Sequence, residues 1–497
     1  MAAAFDTSRT QLFMHRRIMT KTAIRRTLAV SVPAAFIAAT TFAGAATTAS
    51  ISHATLARPV LGAQPNRQVI RPFANPTKRS TFVAGGATLP ALAYEGSSAT
   101  SNNPSLPTTG SIFEQLLNVT GVSVQYCQTG SGFGRKTFEG DPGSGGVNAQ
   151  CLPLGSTFGS TDGFGAPANL GLTDPDITGT DVPMAQSDYS EYVTNKAATR
   201  GEPVSEPSII GSVALFYNNT NTGVTSQLNL TEKQLCGLVS GTITNWKQLS
   251  PAYNNEPLFF VYRSDGSGTT FSFSNHIQNS AVCPGNTFNV SQNFTAPSGT
   301  VSVVGPTPPV NFVGESGNVG VATEIVNNPG YIGYVESANA LAFKSGSTNY
   351  SKLGGKDPIK NLPETAAAFK DNANDVALDS VVNTFGGAAQ VATLSPAPAK
   401  AGCVLIAIPS SYSNITAGYP IIAVTNLLMS TTGNGPNHVQ LQDLITILNS
   451  PGDFSAGNIT TVDKATKTAG TGTTGYSALG ASFNTQLKSI ATTCIHA

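Results

Sequence analysis

Charge is scarce in this chain. Asp, Glu, Lys and Arg make up 11% of the 497 residues, and 27 basic against 27 acidic side chains leave a formal net charge of zero, whereas soluble domains average about 25% charged residues. Nothing in such a balance steers nucleic acid or an anionic membrane surface towards the protein, so nucleic acid is excluded as a partner class. The five histidines are few and scattered; two lie in the first 53 residues, and His276, His438 and His496 have no spacing that would assemble a metal site. No Cys-x-x-Cys pair occurs, which removes the zinc and thioredoxin-type readings, and neither a Gly-x-Ser-x-Gly elbow nor a P-loop lysine is present. The run Gly470 to Gly475 fits Gly-x-Gly-x-x-Gly literally, but a polar Lys/Thr stretch precedes it and no acidic residue follows near twenty positions on, so it reads as a loop. No cofactor and no metal are expected.

Glycine and proline are raised but not dominant. Gly 50 and Pro 31 give 81 residues, about 16% of the chain, short of the roughly 25 to 30% that marks unperiodic disorder. The length suffices for two or three compact units.

At the N-terminus, His15, Arg16, Arg17, Lys21, Arg25 and Arg26 precede an uncharged, small and apolar stretch from Leu28 to Ala46, the layout of a secretory signal. Residues 1–54 are expected to be a signal region, with Met14 and Met19 as more ordinary starts, and the Pro-, Asn- and Arg-rich residues 55–79 a linker. Cysteine usage agrees with export to the periplasm or the exterior. Cys127, Cys151, Cys236, Cys283, Cys403 and Cys494 all lie beyond the signal, and an even set in an oxidising compartment suggests up to three disulfides. Of the possible connectivities we favour neighbour pairing, 127 with 151, 236 with 283 and 403 with 494; scattered buried thiols are the alternative.

From residue 80 onward, short β-rich runs alternate with helical patterns. Strands are expected at Val122 to Gln128, Ile209 to Tyr217, Leu258 to Tyr262, Tyr331 to Val335 and Cys403 to Ile408. Helices are expected at Thr231 to Ser240, Thr269 to Ile277, Val319 to Asn327, Thr365 to Phe385, Val439 to Leu448 and Ala481 to Thr492. This alternation argues for an α/β fold with largely parallel sheets. Gly/Ser/Asn-rich stretches at 95–110, 140–160 and 285–312 read as surface insertions.

The most informative segment runs from Tyr262 to Phe271, Tyr-Arg-Ser-Asp-Gly-Ser-Gly-Thr-Thr-Phe. An apolar strand ends in Arg263, passes two glycines and enters a helix led by hydroxyl residues. Glycines admit a close backbone approach, the free N–H groups of a first helical turn point outward at a ligand, and Ser267 and Thr269 add hydroxyl donors. Arg263 offers a planar fork to two oxygens of a tetrahedral oxyanion, and Asp265 is placed to fix that fork. A Gly-containing turn with a capped helix accounts for this segment equally well by itself. Three further segments repeat the theme: Gly85 to Pro90 with Thr88, Gln128 to Gly134 with Ser131, and Phe158 to Asp162, which ends on a carboxylate. Four such loops at strand ends suggest convergence on one crevice.

These four segments, in this order, resemble the phosphate-binding protein of the bacterial high-affinity phosphate ABC transporter. The resemblance continues through Leu230 to Trp246 and through Asn328 to Glu336, covers most of residues 80–497, and is most specific in the Arg-x-Asp-Gly-Ser-Gly-Thr motif. It implies a two-lobed periplasmic-binding-protein fold of type II with a ligand cleft between the lobes, one lobe from 80–211 and 402–497 and the other from 212–401. It implies a ligand shell of Thr88, Leu89, Ser131, Asp162, Arg263, Ser267, Gly268 and Thr269, with Asp265 orienting Arg263. A carboxylate at Asp162 would accept a hydrogen bond from protonated phosphate and repel sulfate; taken by itself an Asp before Gly caps a turn. The resemblance further implies a monomer that binds inorganic phosphate and delivers it to an inner-membrane ABC permease. The sequence departs from the family in its long insertions, its three possible disulfides, its hydroxyl-rich surface and a Leu at position 89, where Phe is common. Two other readings use the same shell: a secreted phosphomonoesterase, for which Ser131 and Ser267 lack an assignable histidine base, and a phosphate scavenger or adhesin without a transporter.

Overall fold

The structure is a computed structural model, and it describes residues 79–95, 111–140, 164, 174–283, 288–298, 300–362, 375–383, 387–413, 415–448, 475–477, 479 and 481–497. The signal region, the linker up to residue 78, Cys151, Asp162 and Gly470 lie outside the described residues, as does most of the two insertions at 95–110 and 140–160.

Elements follow the local chemistry. Strand β1 (Thr81–Gly86) leads into the short helix α1 (Ala91–Glu95). Helix α2 (Ile112–Thr120) starts where the Ser111 hydroxyl accepts from Glu114 N–H, stops at Gly121 in the left-handed region (φ 73°), and buries Ile112, Phe113 and Leu116 on one face. Strand β2 (Ser123–Gln128), helix α3 (Ser131–Glu139), strand β3 (Ile177–Thr180), helices α4 (Gln186–Asn195) and α5 (Ala197–Arg200) and strand β4 (Pro203–Asn218) follow. Then come β5 (Asn229–Leu230), α6 (Glu232–Val239), β6 (Phe259–Arg263), α7 (Gly268–Asn279), β7 (Phe312–Glu315), α8 (Gly317–Asn327), β8 (Tyr331–Glu336), α9 (Ser337–Ala342) and β9 (Thr348–Tyr350). The C-terminal part supplies the strand Ile422–Ser430 and the helices His438–Leu448 and Ala481–Cys494.

The main sheet runs in the order β2, β1, β3, Ile422–Ser430, β4, β8, β6, β7. All 16 residues of β4 are buried. Its first part, Pro203 to Ser212, pairs antiparallel with Ile422–Ser430, and its second part, Val213 to Tyr217, pairs antiparallel with β8. One strand therefore serves two half-sheets. In the first half β1 is parallel to β2 and β3, and in the second β6 is parallel to β7 and β8. The loops after these parallel strands leave from carboxyl ends, where open α/β sheets place ligands.

Of the sequence expectations, the five strands and five of the six helices are found within a few residues of the expected bounds. Over the described part of the helix expected at Thr365 to Phe385, residues 375–383, no helix is found. Residues 363–374 and 384–386 lie outside the described ones, and between them stand two strands, Val376–Leu378 and Ser380–Asn383, broken at Asp379 with φ 47°. Val381 and Val382 are β-branched, fully buried, and pair with Gln390–Thr393, so β-branching and a cross-strand partner override the helical spacing. The stretch 285–312 is not simply a surface insertion. Phe288, Val290, Phe294 and Val303 are buried in it, and Phe294 stacks on Tyr262 with centroids 4.7 Å apart. The sheet is also less parallel than expected, because Ile422–Ser430 runs antiparallel between β3 and β4. Residues of 375–401 pack against the first half-sheet, with Val381, Val382 and Leu394 beside Met184, Tyr189 and Leu428.

Two disulfides join the expected neighbours, Cys236 to Cys283 and Cys403 to Cys494. Cys127 is also disulfide-bonded, and its expected partner Cys151 lies outside the described residues. No helix among the described residues is long and apolar enough to cross a membrane.

Burial also captures carboxyl groups. Glu336 caps α9, accepting from Ala338 N–H (2.6 Å) and Asn339 N–H (2.9 Å), yet burial pushes its carboxyl up to about 8. Burial, reinforced by Asp188, pushes Glu139 up to about 9, and burial alone holds Glu206 well above the ordinary range. The unfolded chain releases these protons near the ordinary 4.5, so between there and 8 to 9 the folded state binds more protons than the unfolded one. Stability therefore falls as pH rises through that window, and urea midpoints should be higher at pH 6 than at pH 9; a midpoint that increases with pH would contradict these burials. The Cys403–Cys494 bridge closes a separation of 91 residues, which in the chain-entropy model stabilises by about 4 to 5 kcal/mol. Cys494→Ser should lower the urea midpoint accordingly, with the strand Ile422–Ser430 still formed by circular dichroism.

Candidate functional site

The site grows out of the strand ends. Strand β6 ends in Arg263, 1% exposed, whose backbone N–H donates to the Tyr334 hydroxyl at 3.1 Å. Two residues on, Asp265 turns back and takes the guanidinium along one edge: Nε donates to Oδ1 at 2.6 Å and Nη2 to Oδ2. Gly317 N–H adds a third donor to Asp265 Oδ1 at 3.1 Å. Burial opposes both charges, but the pair overcomes it: Asp265 holds the Arg263 guanidinium above its ordinary range, and Arg263 with Gly317 N–H holds the Asp265 carboxyl below its own. The Nη1 edge of Arg263 is left to face inward. It meets Thr88 Oγ1 at 3.2 Å, Asn318 Oδ1 at 3.3 Å and Thr269 Oγ1 at 3.4 Å.

Helix α7 begins beside this guanidinium. Ser267 caps it by accepting from Thr270 N–H at 3.1 Å, so the N–H groups of Gly268 and Thr269, first-turn donors without an intrahelical acceptor, remain available. Gly268 is required by space: a Cβ there would lie 2.4 Å from Asp181 Cβ and 2.5 Å from Ser131 Oγ. That contact brings the β2 and β3 ends to the same place as the β6 end. Ser131, the first residue of α3, accepts from Asp181 N–H at 3.1 Å, and Gly132 N–H donates to Gly266 O at 2.9 Å. On the β1 side, Gly86 lies so close to β3 that a Cβ would be 2.1 Å from Gly179 O. Thr88 is 6% exposed, and the buried Leu89 is fixed by its carbonyl accepting from the Tyr476 hydroxyl at 2.6 Å.

Thr88, Ser131, Arg263, Ser267, Gly268 and Thr269, with Asp265 behind Arg263, thus come together from three strand ends, across up to 181 residues of sequence, with Leu89 beside Thr88. Asp162 lies outside the described residues. The carboxylate that the structure does place in the group is Asp181, which follows directly on β3 and is 1% exposed. It accepts from the Thr425 hydroxyl at 2.5 Å. Burial pushes its carboxyl up to about 7, against the lowering effect of Thr425, the Arg263 charge and Ser131. Sequence reasoning missed Asp181 and Asn318. The signal for Asp181 was there, an Ile-Thr-Gly-Thr run ending in Asp-Val-Pro, but Thr and Gly hid the strand. Asn318, fully buried at the start of α8, had no such signal.

The arrangement carries one guanidinium balanced by one carboxylate, a second carboxyl near neutrality, and a ring of hydroxyl and backbone donors. It suits a small tetrahedral oxyanion held by dipoles, with the donors fixed in place by the surrounding packing. Beside it a cavity of about 250 Å³ is lined by Thr88, Gln128, Glu315, Ser316, Gly317 and Asn318.

Comparison with known proteins agrees with this geometry. A family model for the PBP superfamily domain matches residues 95–390. Among curated relatives, alkaline phosphatase L of Pseudomonas aeruginosa PAO1 is 28% identical over 69% of this chain and 73% of its own. A phosphate-binding protein from an unknown prokaryotic organism is 27% identical over 54% of this chain and 70% of its own. Among solved structures, a high-affinity periplasmic phosphate-binding protein bound with phosphate superposes with a TM-score of 0.55 at 22% identity, covering 84% of this chain and 99% of that one. A phosphate-binding protein from Stenotrophomonas maltophilia gives 0.54 at 20% identity, covering 83% and 94%; at these identities the likeness establishes the two-lobed fold. The chain belongs to the PBP superfamily.

Proposed function

We propose that this protein binds inorganic phosphate in the cleft between its half-sheets and hands it to an ABC-type permease outside the cytoplasm. The observation that carries the reading is the buried Arg263 guanidinium, locked by Asp265 and set beside Thr88, Thr269 and the α7 N-terminus. Relatives and structural neighbours named as phosphate-binding proteins support the ligand. The name PstS on a relative from Xylella fastidiosa, 34% identical over 34% of this chain, supports the transport role. The basic and then apolar N-terminal sequence supports export.

Thr88, Leu89, Ser131, Arg263, Ser267, Gly268 and Thr269 form the shell in this proposal, with Asp181 as the selective carboxylate in the place given to Asp162 by the sequence. An ionised Asp181 accepts a hydrogen bond from a protonated phosphate oxygen, while fully deprotonated sulfate brings no hydrogen and leaves two acceptors opposed. The lobes are taken as 80–211 with 402–497 and 212–401, except that 375–401 packs on the first of them, with closure as a bend where β4 changes partners between Ser212 and Val213. Relatives from Pseudomonas aeruginosa bear a phosphatase name, but among the described residues no histidine is bonded to Ser131: His276 is held by Ser413 O and Glu232, His438 by Gly435 O and His496 by Thr493 O.

Equilibrium titration of dialysed protein should show one phosphate per chain, and Arg263→Ala should weaken binding by at least about 100-fold, since a buried charge-assisted pairing is lost. Phosphate release from p-nitrophenyl phosphate should stay at the buffer rate. Because Asp181 gains a proton as pH falls through about 7 and then becomes a donor, sulfate should compete with phosphate at pH 5 and fail to do so at pH 8. Equal competition at both pH values would remove Asp181 from the selective role.

A further inference from the structure

We infer that Asn318 is a positioning residue, fixing the hydroxyl hydrogen of Thr88 so that it points at the bound anion. This rests on the phosphate reading above and concerns which residue makes one of its donors one-directional.

The amide of Asn318 has only one workable orientation. Its Oδ1 lies 3.3 Å from the backbone N–H of Glu336 and 3.3 Å from Nη1 of Arg263, two groups that can only donate. Turning the amide over would set its NH2 against both. Oδ1 is therefore the acceptor, and Nδ2 faces Thr88 Oγ1 at 3.1 Å as a donor. Thr88 Oγ1 also receives Arg263 Nη1 at 3.2 Å. A hydroxyl has two acceptor lone pairs and one hydrogen, so both lone pairs are taken and the hydrogen is left over. Thr88 is buried, and among the described residues no protein group accepts that hydrogen. A buried donor in this state is strongly biased towards an acceptor that enters the site.

The second consequence concerns where the two residues come from. Thr88 follows β1 in the first half-sheet, while Asn318 opens α8 in the second, and α8 is docked on the site again through Gly317 N–H and Asp265. The direction of the Thr88 hydrogen is thus set only when both halves are together. Among the described residues, the shell positions that Asn318 bonds are Thr88, Thr269 and Arg263, so its role is to orient them.

The test is a double-mutant cycle read by binding of inorganic phosphate to the full chain, with near-UV circular dichroism as the check on folding. Asn318→Ala should weaken phosphate binding about 10-fold in the native background, and by less than about twofold in a Thr88→Val background, where no hydroxyl remains to orient. Asn318→Asp, of the same shape, turns a donor into an acceptor, draws the Thr88 hydrogen away and adds charge, so it should cost at least about 100-fold. An Asn318→Ala loss that is the same in both backgrounds, or native affinity in Asn318→Asp, would overturn the inference. If the alanine variant does not fold, the isosteric aspartate variant decides alone. A native protein that binds no phosphate would instead defeat the functional reading, so the two failures are distinguishable.

Discussion

The buried pair of Arg263 and Asp265 is the constraint on which the site depends. A guanidinium taken wholly out of water is costly unless its hydrogens are matched, and Asp265 matches one complete edge with Nε and Nη2. What remains is the opposite edge, two hydrogens on Nη1 and the second on Nη2, with fixed direction. Thr88, Thr269 and Asn318 are arranged around that edge, and Gly317 ties the next helix to the carboxylate that holds it. Because the charges cancel within the pair, the site has no need of a large positive field, and this is consistent with a chain carrying as many acidic as basic residues.

Strand topology makes the convergence possible. The loops that carry Thr88, Ser131 and Asp181 leave β1, β2 and β3 at the same edge, and those that carry Arg263 and Asn318 leave β6 and β7 at the facing edge. The glycines are where these edges touch. Gly268 admits Asp181 and Ser131 to the α7 terminus, and Gly86 lets β1 lie against Gly179 of β3. Hydroxyl and amide side chains that look superfluous in composition are consumed in holding this geometry, as when Thr425 donates to Asp181 or Tyr334 accepts from Arg263 N–H and pairs with Thr270.

How much of this could be read in advance depended on whether the signal was local. The Arg-x-Asp-Gly-Ser-Gly-Thr segment declares itself because strand end, turn and helix cap are contiguous, and the Arg263–Asp265 pairing spans two residues. Thr88 and Ser131 were legible for the same reason, each following a short apolar strand with glycine beside it. Asp181 was not, since its strand Ile177–Thr180 is only four residues long and contains Thr and Gly, so its burial comes from neighbours on both sides and not from its own apolarity. Asn318 was invisible because its meaning lies in contacts 230 residues away at Thr88. The strand Ile422–Ser430 was hidden by Thr425 and Asn426, polar residues buried at a register shift whose hydroxyl and amide hydrogens find acceptors only in the assembled sheet. Of the helix expected over 365–385, the described end failed on the opposite ground, a helical spacing of side chains whose β-branched members Val381 and Val382 found a partner strand at Gln390–Thr393.

β4 gives the molecule an uncommon kind of continuity. Sixteen consecutive buried residues belong first to one ladder and then to another, and the exchange occurs between adjacent residues with no loop intervening. A spine without slack cannot let its two flanks slide apart, because any separation would have to rupture the hydrogen bonds of one ladder outright. Relative movement is thereby narrowed to rotation about a line through the middle of that spine, so the mouth of the crevice can widen while its floor stays at fixed width.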